Sequence, residues 1–152
     1  MTRLHIDVRG IVQGVGFRPF VHRLVKRHGL VGWVRNSPEG AELELEGEAG
    51  ELSAFLRELE AEAPPLALIE GVEARALHGG EHFTGFRIVP SERGEKMRTL
   101  VSPDAGICHD CLRELLTPGD RRYRYPFINC TNCGPRFTII RSVPYDRAYT
   151  SM

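Results

Sequence analysis

The sequence has no excess of charge of either sign and no long apolar run. Its 20 Lys plus Arg residues match its 20 Asp plus Glu residues, so the 26% of charged residues lack the self-repulsion of a disordered tail. Arg, Glu or Gly interrupts each apolar stretch well before the roughly 18 residues that a membrane span needs. Because 41% of the residues are hydrophobic, the chain can bury a core. These features exclude a disordered chain and predict a globular protein without a membrane partner.

A secretory signal and a disulfide framework are also missing. The first ten residues, MTRLHIDVRG, alternate polar and apolar positions and lack the basic stretch, apolar run and small-residue cleavage site of a signal peptide. The four cysteines all lie after residue 107. We therefore expect a cytoplasmic protein whose cysteines are reduced.

The balanced total charge hides a difference between two parts of the chain. Residues 1–90 contain 10 basic and 13 acidic residues, whereas residues 91–152 contain 10 and 7. The junction, PSERGEKMRTLVSPDAG, is rich in Pro, Gly and polar residues, which is typical of a linker. We predict a domain at 1–90, a linker at 91–107 and a small cysteine-containing segment at 108–152.

The first part alternates strand and helix patterns. Leu4, Ile6 and Val8 have the period of two of a strand with one solvated face. Two amphipathic helices are predicted, from Pro19 to His28 and around residues 52–59. Further strands are predicted at 30–35, 41–46, 66–77 and 83–89, with a turn at 36–40 and with Glu42, Glu44 and Glu46 on a solvated face. The order β-α-β-β-α-β, with a possible fifth strand, predicts an α+β ferredoxin-like sandwich.

A glycine-rich turn lies between the first strand and the first helix. It reads Gly10-Ile-Val-Gln-Gly14-Val-Gly16-Phe-Arg18. Such a turn directs main-chain N–H groups toward an anion at the positive end of a helix, where a guanidinium binds two phosphoryl oxygens. The Walker and dinucleotide patterns do not fit, because neither Gly-Lys-Ser/Thr nor a third glycine follows. A phosphate site is the functional interpretation, and a purely structural turn is the alternative.

This turn, followed by Gly32-Trp-Val-Arg-Asn36 and then Glu39-Gly40, resembles the two signature segments of the acylphosphatase family. The resemblance implies that the loop binds a phosphoryl group and that Arg18 and Asn36 are catalytic, with Asn36 positioning the attacking water. The loop residues with that implied role are Gln13, Gly14, Val15, Gly16, Phe17 and Arg18. Without the loop motif, Asn36 is more simply interpreted as a turn former before Ser37-Pro38.

The second part carries two cysteine pairs. Cys108-x2-Cys111 and Cys130-x2-Cys133, 18 residues apart, use every cysteine of the chain and predict a structural Zn²⁺ site. Disulfides are the weaker interpretation in reducing surroundings. The neighbouring run Arg121-Arg-Tyr-Arg-Tyr125 raises nucleic-acid binding as an alternative. The small net charge of this part argues against it, so nucleic acid is not an expected partner.

The combination of both parts resembles the HypF family, the carbamoyltransferases of NiFe-hydrogenase maturation. The resemblance rests on G-V-G-F-R-P-F-V, Ser102-Pro-Asp104, the run from Tyr123 through the second cysteine pair to R-F-T-I, and Pro144-Tyr-Asp-Arg147. It implies that carbamoyl phosphate is the substrate, that ATP is a cofactor of the full-length protein, and that a HypE-like maturation protein is the partner.

The family pattern continues with a second double C-x2-C motif and further large domains that this sequence does not contain. The expected contribution of the chain is therefore the first step, hydrolysis of carbamoyl phosphate, with the cysteine segment as a scaffold. Two alternatives stay open at this point. In the first, the phosphate site binds its ligand without turnover. In the second, which concerns the metal site, the four cysteines pair with those of the second motif instead of sharing one ion.

Overall fold

A computed structural model describes residues 1–90 and 106–130. Within these ranges it contains five strands and three helices. They are β1 Thr2–Ile11, α1 Phe17–Arg27, β2 Val31–Ser37, β3 Gly40–Gly47, α2 Ala49–Ala61, β4 Leu68–Leu77, β5 Phe86–Ile88 and α3 His109–Leu116. The longest of these helices has 13 residues, and none of them is long and apolar enough to cross a membrane.

The five strands form one mixed sheet in the order β4-β1-β3-β2-β5. Strand β1 pairs antiparallel with both β3 and β4, strand β2 pairs antiparallel with β3, and β5 runs parallel to β2 at the edge. This arrangement confirms the predicted α+β ferredoxin-like fold, and the possible fifth strand is present as β5.

The hydrophobic core lies between one face of the sheet and the two helices α1 and α2. The alternation in β1 places Ile6 and Val8 on this face, opposite Leu43 and Ala41 of β3. The helices contribute Phe17, Phe20, Val21, Leu24, Val25, Leu52, Phe55 and Leu59, all of them buried in the same cluster. The apolar periodicities of the sequence therefore identify the two surfaces that pack together.

Helix α1 begins two residues earlier than predicted, at Phe17, so Pro19 lies inside the first turn. A proline is tolerated there because the first turn needs no i→i−4 partner for its N–H. The helix ends at Arg27, where the N–H of Gly29 donates to the carbonyl of Lys26 and the N–H of Leu30 donates to the carbonyl of Val25. This pair of bonds satisfies two of the terminal carbonyls.

Strand β2 is longer than predicted. Asn36 pairs with Ala41 and Ser37 pairs with Gly40, so both residues belong to the strand. The predicted turn at 36–40 is therefore wrong in extent, since only Pro38 and Glu39 connect the two strands. Cross-strand pairing with β3 outweighs the local preference of Asn for turns at this position.

The predicted solvated face of β3 is also wrong at one position. Glu46 is only 3% exposed. The connection from β4 to β5 crosses from one edge of the sheet to the other, and His82 in this connection bonds the Glu46 carboxylate. Arg3 holds the same connection, because its Nη1 donates to the carbonyl of Glu81 at 3.0 Å and its guanidinium lies 4.2 Å from the ring centre of Phe83.

Candidate functional site

The glycine-rich turn forms a loop between β1 and α1. Gly14 and Gly16 have φ values of 69° and 78°, a left-handed conformation that is costly for residues with a Cβ atom. Within the described ranges, the N–H groups of Gly14, Val15 and Gly16 donate to no main-chain carbonyl. The loop therefore concentrates main-chain donors directly before a helix.

Helix α1 adds a positive helix end to this loop. Gly16 is its N-cap residue, and its first turn contains no acidic side chain that would neutralise the helix dipole. Arg18 is the second residue of the helix and is half-buried. The loop and the start of α1 thus combine N–H donors, the dipole and a guanidinium, which is suitable for an anion with several oxygens.

The loop side chains alternate between core and surface. Val15 and Phe17 are 2% and 1% exposed and pack in the core, whereas Gly14, Gly16 and Arg18 are partly exposed. Val15 and Phe17 are therefore available to a ligand through their main chain only. Their apolar side chains anchor the loop to the domain.

Gln13, which we predicted to be a phosphate-binding residue, directs its side-chain amide to the β2–β3 turn. Its Nε2 donates to the carbonyl of Ser37 at 2.7 Å and to the carbonyl of Gly40 at 3.1 Å. The residue is 2% exposed. The N–H of Gly10 also donates to the carbonyl of Glu39 at 3.2 Å, so two residues in the first half of the glycine-rich segment are bound to the same turn.

Asn36 lies on the core face of the sheet and is 1% exposed. Its partner on β3, Ala41, also pairs with Val8 of β1, the strand that leads into the loop. The preceding residue, Arg35, lies on the opposite face and forms an ion pair with Glu42 at 2.7 Å. The register therefore puts the Asn36 amide on the same face as the helices and in one row with Val8, two residues before the glycine-rich segment begins.

Three of the four cysteines meet at the start of α3. The Sγ atoms of Cys108, Cys111 and Cys130 lie within 4.8 Å of one another, and those of Cys108 and Cys130 are 3.5 Å apart. Tetrahedral Zn²⁺ with Zn–S bonds of about 2.3 Å separates its sulfur ligands by about 3.8 Å. The three thiols thus fit a zinc ion, and Cys133 lies outside the described residues.

Local contacts hold these three cysteines in place. The N–H of Cys111 donates to Sγ of Cys108, the N-cap residue of α3. Arg122 joins the helix to the second cysteine pair, because its Nη1 contacts Oε2 of Glu114 at 2.9 Å and the carbonyl of Asn129 at 3.1 Å. The Arg122 side chain therefore bonds groups of its own segment. This weakens the nucleic-acid interpretation of the Arg-Tyr run, in which Arg122 would bind phosphate.

Sequence reasoning missed an ionic cluster that joins α1 to α2. His28 lies between Glu51, whose Oε2 is 2.7 Å from Nδ1, and Glu58, whose Oε2 is 3.0 Å from Nε2. Burial opposes the charged imidazole, but the hydrogen bonds to Glu51 and Glu58 outweigh it and raise the pKa of His28. Hydrogen bonds from His28 and Arg27 lower the pKa of Glu58. No local sequence signal marks this cluster, because His28 is more than 20 residues away from both glutamates.

Known proteins resemble this chain in both of its parts. The acylphosphatase family model matches residues 4–88. An acylphosphatase of Caldivirga maquilingensis is 40% identical over 89 residues, which are 57% of this chain and 93% of that protein. The chain belongs to the acylphosphatase family. Its cysteine segment adds a further match, since the HypF finger model covers residues 107–140.

Beyond the acylphosphatase domain, the similarity extends over the whole chain to the HypF proteins. Carbamoyltransferase HypF2 of Cupriavidus necator is 48% identical over 152 residues, which are 99% of this chain and 19% of that protein. A crystal structure of full-length HypF in a phosphate- and nucleotide-bound form superimposes with a TM-score of 0.88 at 51% identity, over 99% of this chain and 20% of that one. The chain spans about a fifth of these relatives, and the resemblance to the start of HypF is confirmed.

Proposed function

We propose that the acylphosphatase domain hydrolyses carbamoyl phosphate. The main chain of residues 13–18 and the Arg18 guanidinium bind the phosphoryl group, and Asn36 positions the attacking water. The observation that supports this proposal most is the register that aligns Asn36 and Val8 on either side of Ala41, in the last part of the strand that leads to the loop. This register supports a shared site, because the buried Asn36 amide lies on the core face of the same sheet.

The reaction needs few catalytic groups. The water oxygen forms a new P–O bond while the bond between phosphorus and the bridging oxygen breaks, and carbamate leaves with the electron pair. Carbamate needs no proton to leave, so no general acid is required, and the proton lost by water passes to the product phosphate. Catalysis then consists of aligning water with phosphorus and stabilising the charge on the phosphoryl oxygens, which main-chain N–H groups and an arginine provide.

The cysteine segment contributes stability in this proposal. Cys108, Cys111, Cys130 and Cys133 would hold a structural Zn²⁺, and four cysteine ligands would leave no open position for substrate. A segment of this size has a small core, and metal binding supplies folding free energy of about 10 kcal/mol or more. The three described thiols support this site through their mutual distances.

In the longer relatives this step is the first of several. The carbamoyl group is then activated with ATP as carbamoyl adenylate and transferred to a HypE-like protein during synthesis of the cyanide ligands of NiFe-hydrogenase. The names of the carbamoyltransferase relatives and the phosphate- and nucleotide-bound form of one of them support this assignment. The later steps belong to parts of those proteins that this chain does not cover.

Phosphate release from carbamoyl phosphate tests the proposal. We expect the Arg18→Ala variant to lose about 100- to 1,000-fold in kcat/KM, since it removes one charge-stabilising donor group. The matched control is Arg23→Ala, because Arg23 is exposed on the same helix. Equal release by wild type, Arg18→Ala and Arg23→Ala would contradict hydrolysis at this loop.

A further inference from the structure

We propose that Gln13 is a positioning residue that sets the distance between the phosphate loop and Asn36. This inference rests on the proposed function and deepens it. It adds a role for the Gln13 side chain to the main-chain phosphate binding that family resemblance implies for this residue.

The contacts of the Gln13 amide carry this inference. A glutamine Nε2 has two hydrogens, and here it donates to two acceptors, the carbonyl oxygens of Ser37 and Gly40. These two residues form the last pair of β2 and β3 before the turn. The amide therefore bridges both strands at the point where they end.

The position of this bridge in the chain gives it a function. Gln13 directly precedes Gly14, the first of the two left-handed glycines of the loop, and Ser37 directly follows Asn36. The amide thus connects the residue next to the anion site with the residue next to the water-binding side chain. Because Gln13 is 2% exposed, water does not compete freely for these bonds.

A second bond supports the same connection. The N–H of Gly10 donates to the carbonyl of Glu39 in the turn, at a position where the pairing of β1 with β4 shifts register. The turn is therefore fastened to the segment before the loop and to the loop itself. Without the Gln13 bonds, the Gly10 bond and the pairing of β1 with β3 still hold the turn to the end of β1, but the loop loses the two side-chain bonds of Gln13 to it.

The variants Gln13→Met and Gln13→Glu, made in the full chain, test the role. Methionine has a similar size but no donor, and a glutamate carboxylate accepts but does not donate. Since a misplacement of about 1 Å costs up to roughly 100-fold in rate, we expect kcat to fall about 10- to 100-fold in both variants. The KM for carbamoyl phosphate and the Kd for inorganic phosphate should stay within about threefold of wild type, because the loop donors and Arg18 remain.

The control for a general loss of stability is Val25→Ala. Val25 is buried near the other end of α1, so its truncation lowers Tm without affecting the loop. We expect its kcat to equal that of wild type at a temperature where all variants are folded. If the Gln13 variants also keep the wild-type kcat and lose only Tm, the positioning role is wrong. If their phosphate affinity falls as much as that of Arg18→Ala, Gln13 binds phosphate directly and the inference is overturned.

A readout without turnover separates this inference from the proposed function. If wild type releases no phosphate from carbamoyl phosphate, the proposed function fails, and NMR titration with inorganic phosphate still tests Gln13. We expect phosphate to shift the NMR signals of the main-chain amides of Gly14 and Gly16 in wild type and in Gln13→Met. It should shift the side-chain amide of Asn36 in wild type only. An identical Asn36 response in Gln13→Met would contradict the coupling.

Discussion

Val8 and Asn36 both pair with Ala41, one from each side, so that a core residue of β1 and a buried amide of β2 lie in one row across the sheet. The glycine-rich segment begins two residues after Val8, at Gly10. The antiparallel order of β1, β3 and β2 therefore brings together two sequence segments that are about 20 residues apart, and each supplies one part of the proposed site.

Replacing Asn36 should affect the rate more than binding. In Asn36→Ala we expect kcat for carbamoyl phosphate to fall about 100-fold or more, while KM changes little, because only the water loses its partner. Steady-state kinetics measure kcat and KM, and calorimetry measures the affinity for inorganic phosphate. Ser53→Ala on α2, which removes an exposed side-chain bond to the Ala49 carbonyl, is the control and should match wild type. Phosphate affinity lost in parallel with kcat would place Asn36 on the phosphoryl group instead.

The His28 cluster predicts a pH dependence of stability. Because the folded-state pKa of His28 lies above its ordinary value of 6.5, charged His28 stabilises the fold fully below about pH 6.5. This contribution is lost as pH rises through the raised pKa. The pKa of Glu58 is lowered from 4.5, so its contribution is present above that value and is lost as pH falls through the lowered pKa.

Urea unfolding of wild type and His28→Gln at several pH values measures this effect. We expect the difference in unfolding free energy between the two proteins to be largest near about pH 6 and to shrink toward about pH 9. The control is His78→Gln, because His78 is exposed in the connection after β4. A difference that stays constant over this range would show that His28 acts by packing alone.

The cysteine cluster predicts the metal content. Cys111 is fully buried, and its replacement by serine should reduce bound zinc from about one equivalent to less than about half. His109 is exposed at the first position of α3, so His109→Ala should keep its zinc. Elemental analysis after purification without chelator gives the stoichiometry. Full zinc content in Cys111→Ser, or loss in His109→Ala, would identify a different ligand set.

The fold was predictable from the sequence because its signals are local. The alternation of Leu4, Ile6 and Val8 and the helical spacing of Leu52, Phe55 and Leu59 identify surfaces that face the core wherever the elements finally lie. The site was predictable only through motif resemblance. Nothing local in the sequence shows that Asn36 lies in one row with Val8, because this row depends on the pairing of both residues with Ala41.

Two side chains have surroundings that the sequence pattern does not indicate, and the physical reason is the same for both. Glu46 alternates with apolar residues as a solvated residue does, but the connection between β4 and β5 crosses over it, and Arg3 and His82 hold this connection. Gln13 belongs to the loop motif, yet its side chain bonds the β2–β3 turn. In both cases a partner distant in sequence decides the environment of the side chain, and periodicity contains no information about it.

Hydrolysis of carbamoyl phosphate in ¹⁸O-labelled water tests the central claim most directly. If water bound by Asn36 attacks phosphorus, the enzyme-dependent part of the released inorganic phosphate carries one ¹⁸O atom, seen as an isotope shift in the ³¹P NMR spectrum, and Arg18→Ala removes this labelled part. Enzyme-dependent phosphate without the label would show that the bond between carbon and the bridging oxygen breaks, and would contradict phosphoryl transfer to water at this loop.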